Sequence, residues 1–280
     1  MAGDVQTITL GAVTVAVINV YDIPTRLGDM IDVPESERTP RESVLFEQTE
    51  NLSVQCIYVQ GPGLSVLVDA GAYDATYDSS DRSDDQPPPD LITRLAELGV
   101  RPSDVAHVVI THCHGDHYNA TTSAHGSQVL PTFPNARYYV GQADWDEPRL
   151  QDALGKPDSL ESRTLGVLRR EGCLVTVEGD RDLGGGVQIV AAPGETRGHQ
   201  IVRIRSYDHV LYCLGDLFHH PVEVEHPTWM VRWADRDANL ASRRSLAEAA
   251  LAENALLVAT HIRGIGRLQR TSSGVVWVGE

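Results

Sequence analysis

Apolar positions along the chain fall into short runs, and the residues between those runs predict where each element stops. Residues 7–20 alternate apolar and polar side chains around Gly11, the pattern of a β-hairpin. Residues 53–59 and 64–69 are apolar runs separated by Gly61-Pro62-Gly63, a turn signal. Residues 88–98 predict a helix, with proline near the start, Leu91, Leu95 and Leu98 on one face, and Gly99 as the stop. Residues 105–110 and 136–140 read as buried strands, and 159–170 as a helix. Strand-like runs follow at 173–177, 187–191, 201–206 and 209–214. The alanine- and leucine-rich stretch 239–255 predicts a helix, and 256–259 a final buried strand. Strands followed by a helix thus occur twice, with no internal repeat apparent in the residues themselves. Two charged, proline-bearing stretches, 21–50 and 74–89, read as surface loops. A sharper expectation for 21–50 is a lid over a site, or a contact in a homodimer.

Composition narrows the class. With 280 residues, 41% of them hydrophobic, the chain can bury a sizeable core, as one large domain or two small ones. A formal charge of −16 argues against nucleic acid or an anionic membrane as the main partner. No uninterrupted apolar stretch approaches membrane-spanning length. The first residues show neither the basic nor the apolar part of a signal peptide. Cys56, Cys113, Cys173 and Cys213 are scattered, as reduced thiols would be, so a cytoplasmic location is expected.

The chemistry concentrates at Thr111-His112-Cys113-His114-Gly115-Asp116-His117, directly after the predicted strand 105–110. His112 and His114 are two apart, so an extended chain points them the same way. Gly115 lets the chain turn and bring Asp116 and His117 to the same place. Neutral imidazole and carboxylate are ligands for borderline divalent metals, zinc above all. A metal enzyme needs further ligands, and three places offer them: Gly198-His199 in a loop between strands, Gly215-Asp216 after the strand 209–214, and Thr260-His261 after the strand 256–259. Each lies beyond a strand end or in a glycine-containing loop, where a sheet can gather distant residues on one edge.

This order of His-x-His-x-Asp-His, Gly-His, Gly-Asp and a late His resembles the metallo-β-lactamase-fold hydrolase superfamily, from Val68-Asp69-Ala70-Gly71 to Thr260-His261. The resemblance implies an α/β fold in a single domain over residues 1–280, an αββα sandwich of two mixed β-sheets flanked by helices. It implies two Zn²⁺ per chain: one held by His112, His114 and His199, the other by Asp116, His117 and His261, with Asp216 bridging both. Asp69 would support the site from behind its ligands. A metal-bound hydroxide would then attack a carbonyl or phosphoryl group, and Asp116 would shuttle the proton to the leaving group. His114, where some relatives carry glutamate and bind iron, favours zinc and hydrolysis.

Two positions depart from the family pattern. Pro193-Gly194-Glu195-Thr196 has glutamate where relatives often carry histidine. His219 stands where lactonases often place a tyrosine that contacts the substrate carbonyl, and an imidazole can donate the same hydrogen bond or serve structurally. His220 follows it, and His226, Trp229, Met230 and Trp233 form an aromatic cluster that reads as core or as a pocket wall. The expected activity is hydrolysis of a lactone or other ester-type bond in a small-molecule substrate. Phosphotriester, phosphodiester or thioester hydrolysis is the alternative within the same fold, and a mononuclear-iron sulfur oxygenase is a further one.

Overall fold

The computed structural model describes residues 5–71, 90–125, 128–272 and 274–280. Two seven-stranded sheets lie face to face. The first runs in chain order through Val5–Leu10, Val13–Arg26, Thr49–Gly61, Leu64–Val68, His107–Val109, Arg137–Gly141 and Leu174–Val177. Its first four strands are antiparallel, and the later pairings are parallel. The second runs through Arg181–Gly184, Val187–Ala191, Gln200–Ser206, His209–Cys213, Leu256–Val258, Gly266–Thr271 and Gly274–Gly279. Its pairings are antiparallel except that of His209–Cys213 with Leu256–Val258.

Alternation along the strands explains the layering. Val15, Val17, Ile57 and Val59 face Val202, Ile204, Leu211 and Val258 between the sheets. The opposite face of the first sheet, with Ile18, Tyr58 and Val108, packs on Leu91, Leu95 and Leu168 of the helices Leu91–Glu97 and Leu165–Arg170. Outside the second sheet, Ile201, Tyr212 and Leu257 meet Leu246 and Ala250 of the helix Arg236–Glu253. The result is the expected αββα sandwich.

Several expectations need correction. The stretch 21–50 is not a loop: the strand Val13–Arg26 continues through it and pairs with Thr49–Gly61, and the helices Leu27–Met30 and Pro40–Glu47 lie between. Its apolar residues are few but well placed, since Leu27, Ile31, Val33 and Phe46 build a small core with Leu52, Val222, Trp229 and Val231. Thr39 and Glu42 close a capping box over the second helix. The predicted helix 159–170 is broken at Thr164 (φ −111°, ψ −89°) into Leu160–Arg163 and Leu165–Arg170. The strand Leu256–Val258 is not the last, because the hairpin of Gly266–Thr271 and Gly274–Gly279 follows it. Its alternation is too short and too charged, through Arg267 and Arg270, to read as a buried strand. The stretch 74–89 lies outside the described residues.

Candidate metal centre

All seven expected ligands converge on one edge of the sandwich, beyond strand ends. His112 and His114 follow His107–Val109, and Asp116 and His117 sit on the short helix Gly115–Tyr118. Asp216 follows His209–Cys213, His261 follows Leu256–Val258, and His199 ends the loop joining Val187–Ala191 to Gln200–Ser206. His114 has an extended backbone (φ −98°, ψ 146°), so the two-residue spacing does aim both rings inward, with His112 Nε2 and His114 Nδ1 2.8 Å apart.

The donor atoms fall into sets that share Asp216. His112 Nε2 lies 3.7 Å from Asp216 Oδ2, and His117 Nε2 lies 3.3 Å from Asp216 Oδ1. Asp116 Oδ2 is 3.6 Å from both His117 Nε2 and His261 Nε2, and His261 Nε2 is 3.1 Å from Asp216 Oδ2. Two atoms each about 2.1 Å from one tetrahedral ion stand about 3.4 Å apart, so this spacing fits cation coordination. His199 sits at the margin: its ring centroid is 5.2 Å from that of His112, and its Nε2 accepts the Asp216 N–H at 3.2 Å.

Partners behind the ring leave the Nε2 lone pair of four histidines facing inward. His117 Nδ1 donates to Asp69 Oδ2 (2.8 Å), His261 Nδ1 to the Ser53 carbonyl (2.8 Å), and His199 Nδ1 to the Ala192 carbonyl (3.0 Å). His112 Nδ1 faces Thr111 Oγ1 at 3.2 Å, while that hydroxyl donates to Asp69 Oδ2 at 2.9 Å. Asp69 thus stands where the resemblance put it, and its left-handed backbone (φ 59°) turns the chain so that its carboxylate also accepts the Thr111 N–H at 2.7 Å.

Electrostatics favour a cation here. Burial, with neighbouring imidazoles, lowers His112 well below the ordinary value, and burial takes His199 down to about 4, so both present neutral nitrogen. Burial also opposes charge on His117, but Asp216, Asp116 and Asp69 outweigh it and raise His117 well above the ordinary value. Burial would raise Asp216, yet His261, His117, His219 and His112 hold it well below the carboxylate range. A divalent ion supplies the positive charge this field demands and leaves the imidazoles neutral. Buried His117 Nε2 and Asp216 Oδ1 have no hydrogen-bond partner among the described residues, as ligand atoms would not.

Two close approaches hold the loops together. A Cβ on Gly198 would meet the Asp144 backbone nitrogen at 2.4 Å, and Gly215 (φ 53°) passes so near His199 that a Cβ would stand 2.9 Å from its Nε2. Asp144, which nothing in the sequence singled out, ties both histidine loops by accepting from the Cys113 N–H (3.0 Å), the Gly198 N–H (2.6 Å) and the Thr196 hydroxyl (2.8 Å). Its only signal was its place four residues after the predicted strand 136–140.

The remaining residues separate. His219 is buried beside the ligands, stacked on His261 (centroids 5.3 Å apart, 11° between planes), with Nε2 3.3 Å from Asp216 Oδ2. His220 points elsewhere, its Nδ1 accepting the Val222 N–H. His226 stacks on Trp229 and pairs with Glu42 at 2.7 Å, and Trp229 and Met230 are buried, so these three are structural. Trp233 is 51% exposed and its Nε1–H donates to Glu195 Oε1 at 2.5 Å, placing it on the wall of the site. A cleft of about 550 Å³ opens above the ligands, walled by Ile23, Met30, Leu52, Leu160 and Trp233. All four cysteines are free, and none of them falls in a donor group. Among the described residues no helix is long and apolar enough to cross a membrane.

Known proteins share this plan. The hydrolase AbOPH of the beta lactamase superfamily superposes with a TM-score of 0.82 at 17% identity, covering 100% of this chain and 98% of that one. The dizinc quorum-quenching lactonase AidC superposes with a TM-score of 0.78 at 19% identity, covering 99% and 97%. A Mycobacterium tuberculosis protein named as a probable metallo-hydrolase is 31% identical over 132 residues, 45% of this chain. A Bacillus cereus N-acyl homoserine lactonase is 22% identical over 116 residues, 41% of this chain. The matched part spans only 41% and 39% of the length of those relatives. The model of the metallo-beta-lactamase superfamily matches residues 49–261, from the strand Thr49–Gly61 to the candidate ligand His261, and the chain belongs to that superfamily.

Proposed function

We propose that the protein is a dinuclear, metal-dependent hydrolase of lactones or related carboxylic esters. The observation that carries this reading is the run of overlapping donor groups His112-His114-Glu195-Asp216, Asp216-His219-His261 and Asp116-His117-His261, with His117 Nε2 and Asp216 Oδ1 buried and unpartnered among the described residues, beneath an open cleft. His112, His114 and His199 would hold one ion, Asp116, His117 and His261 the other, and Asp216 both; zinc suits this mixture of imidazole and carboxylate. Bound there, the two ions supply an activated water and polarise the oxygen of the scissile bond.

The residues around them do the rest. Asp116, 23% exposed at its side chain, faces the cleft and is placed to take a proton from the attacking water and pass it to the departing oxygen. His219 lines the same cleft with Nε2 3.3 Å from Asp216 Oδ2, and its imidazole is the group that would donate to the substrate carbonyl as a tyrosine would. Ile23, Met30, Leu52 and Leu160 give the cleft an apolar wall, suited to the hydrocarbon part of a small acyl compound. That wall comes partly from the stretch 21–50, the segment expected to cover the site. The lactonase neighbours support the substrate class. A small molecule is the substrate on this reading, with no role for nucleic acid or membrane, and the protein works in the cytoplasm.

A panel of lactones, aryl esters, thioesters and phosphotriesters, run on protein of measured metal content, tests the proposal. Turnover of lactones or aryl esters that follows metal loading is expected. A preference for phosphotriesters or thioesters would move the substrate class, and one iron with no hydrolysis would overturn the reading.

A further inference from the structure

We propose that Glu195 is itself a metal ligand in this protein, adding a carboxylate to the ion held by His112 and His114. This rests on the site being a metal centre, as proposed above. Glu195 stands in the loop where relatives often carry histidine, and its side chain is fully buried (0% exposed). One of its carboxylate oxygens lies within 4.8 Å of donor atoms of His112, His114 and Asp216, and those atoms lie equally close to one another. Oε1 is 3.6 Å from His114 Nδ1, the separation expected of two ligands on one ion.

The alternative is that Glu195 serves only as a hydrogen-bond acceptor. Trp233 does donate to Oε1, at 2.5 Å. His219 Nε2, at 3.7 Å, is beyond hydrogen-bond reach. Oε2 has no hydrogen-bond partner among the described residues although it is buried. A buried carboxylate with an unused oxygen needs a partner; among the described residues no Lys or Arg is paired with it, and the imidazoles of His114 and His219 stand 3.6 and 3.7 Å from Oε1 only. An ion held by the neighbouring donor set would give this carboxylate the partner that those contacts leave its Oε2 without. Trp233 would then hold Glu195 in place from the cleft side, so that the wall of the substrate cleft and the metal centre are joined through one side chain.

The test is cobalt(II) titration of metal-free wild type, Glu195→Gln and Glu195→Asp, read by visible absorption and by competition with a chromophoric chelator. Folding of each metal-free variant is checked by circular dichroism. Glu195→Gln should bind one ion at least about tenfold more weakly and change the visible bands, because a neutral amide replaces a carboxylate. If that variant does not fold, Glu195→Asp, whose carboxylate is one methylene too short, should show the same weakening in lesser degree. Titrations and spectra that overlay wild type would overturn the assignment and leave the metal centre intact. A wild type that binds no cobalt would overturn both readings.

Discussion

Two polar clusters are buried side by side in this molecule, and they are built on opposite principles. One is the ligand set around Asp216. The other is Arg243, on the helix Arg236–Glu253, with Glu223 beneath the loop that carries His219. Arg243 is fully buried, yet it is satisfied: it pairs with Glu223 Oε1 at 2.6 Å and donates to the carbonyls of Leu217 (2.9 Å), Pro227 (3.2 Å) and Trp229 (2.5 Å). Glu223 Oε2 in turn accepts the N–H groups of His219 (2.5 Å) and His220 (3.0 Å). The ligand set has the reverse character, with lone pairs that face each other and buried atoms left over. A polar cluster complete in itself is a clamp, whereas one that needs an added cation is a site. The clamp fixes the loop from Asp216 to Trp229, and so positions both the Asp216 carboxylate and His219.

Breaking the site should affect chemistry most. Asp216→Ala or His112→Ala should reduce turnover by more than the roughly 100-fold typical of losing a partner behind a ligand, and lower metal content, while circular dichroism stays unchanged. Breaking the clamp should affect folding instead. Arg243→Met leaves Glu223 charged and unpaired, and should cost about 3–5 kcal/mol in urea unfolding, most of which Arg243→Met with Glu223→Leu should recover. Burial raises Glu223, but Arg243 and His219 outweigh it and hold Glu223 at about 2, below its ordinary 4.5. The pair's contribution is therefore complete above pH 4.5 and fades as pH falls toward about 2, a slope the double variant should lack when melts are compared across that range.

Smaller effects separate support from chemistry. Asp69→Asn removes the carboxylate behind His117 and should weaken metal binding about 10–100-fold by chelator competition. His219→Phe should lower kcat about tenfold or more with metal content unchanged, because it removes a hydrogen-bond donor and no expected ligand. Unchanged kinetics in His219→Phe would make His219 part of the clamp rather than of the reaction.

The convergence of the candidate ligands was legible in sequence because they stand in short motifs just after apolar runs, where spacing of two and a glycine predict it. Asp69 could be named only through the family resemblance, since a lone aspartate after a strand has no signature of its own. Asp144, Glu223 and Arg243 were not legible. Each is an ordinary polar residue on or beside a helix, and what makes it important is a partner between 14 and 54 positions away. The stretch 21–50 was misread for a related reason: its core residues are sparse, and they bury themselves against Val222 and Trp229, which only the folded chain brings near. Helix Asn239 onward was legible as an element, but the same helix hides the buried arginine among residues that look like a solvated face.

Metal analysis of the purified protein, before and after chelation and with lactone turnover followed in parallel, is the measurement that decides whether these distant side chains meet around a cation pair. About two divalent ions per chain are expected, with turnover lost on stripping and restored on reloading. Full turnover in stripped protein, or a chain that takes up no divalent ion, would contradict it.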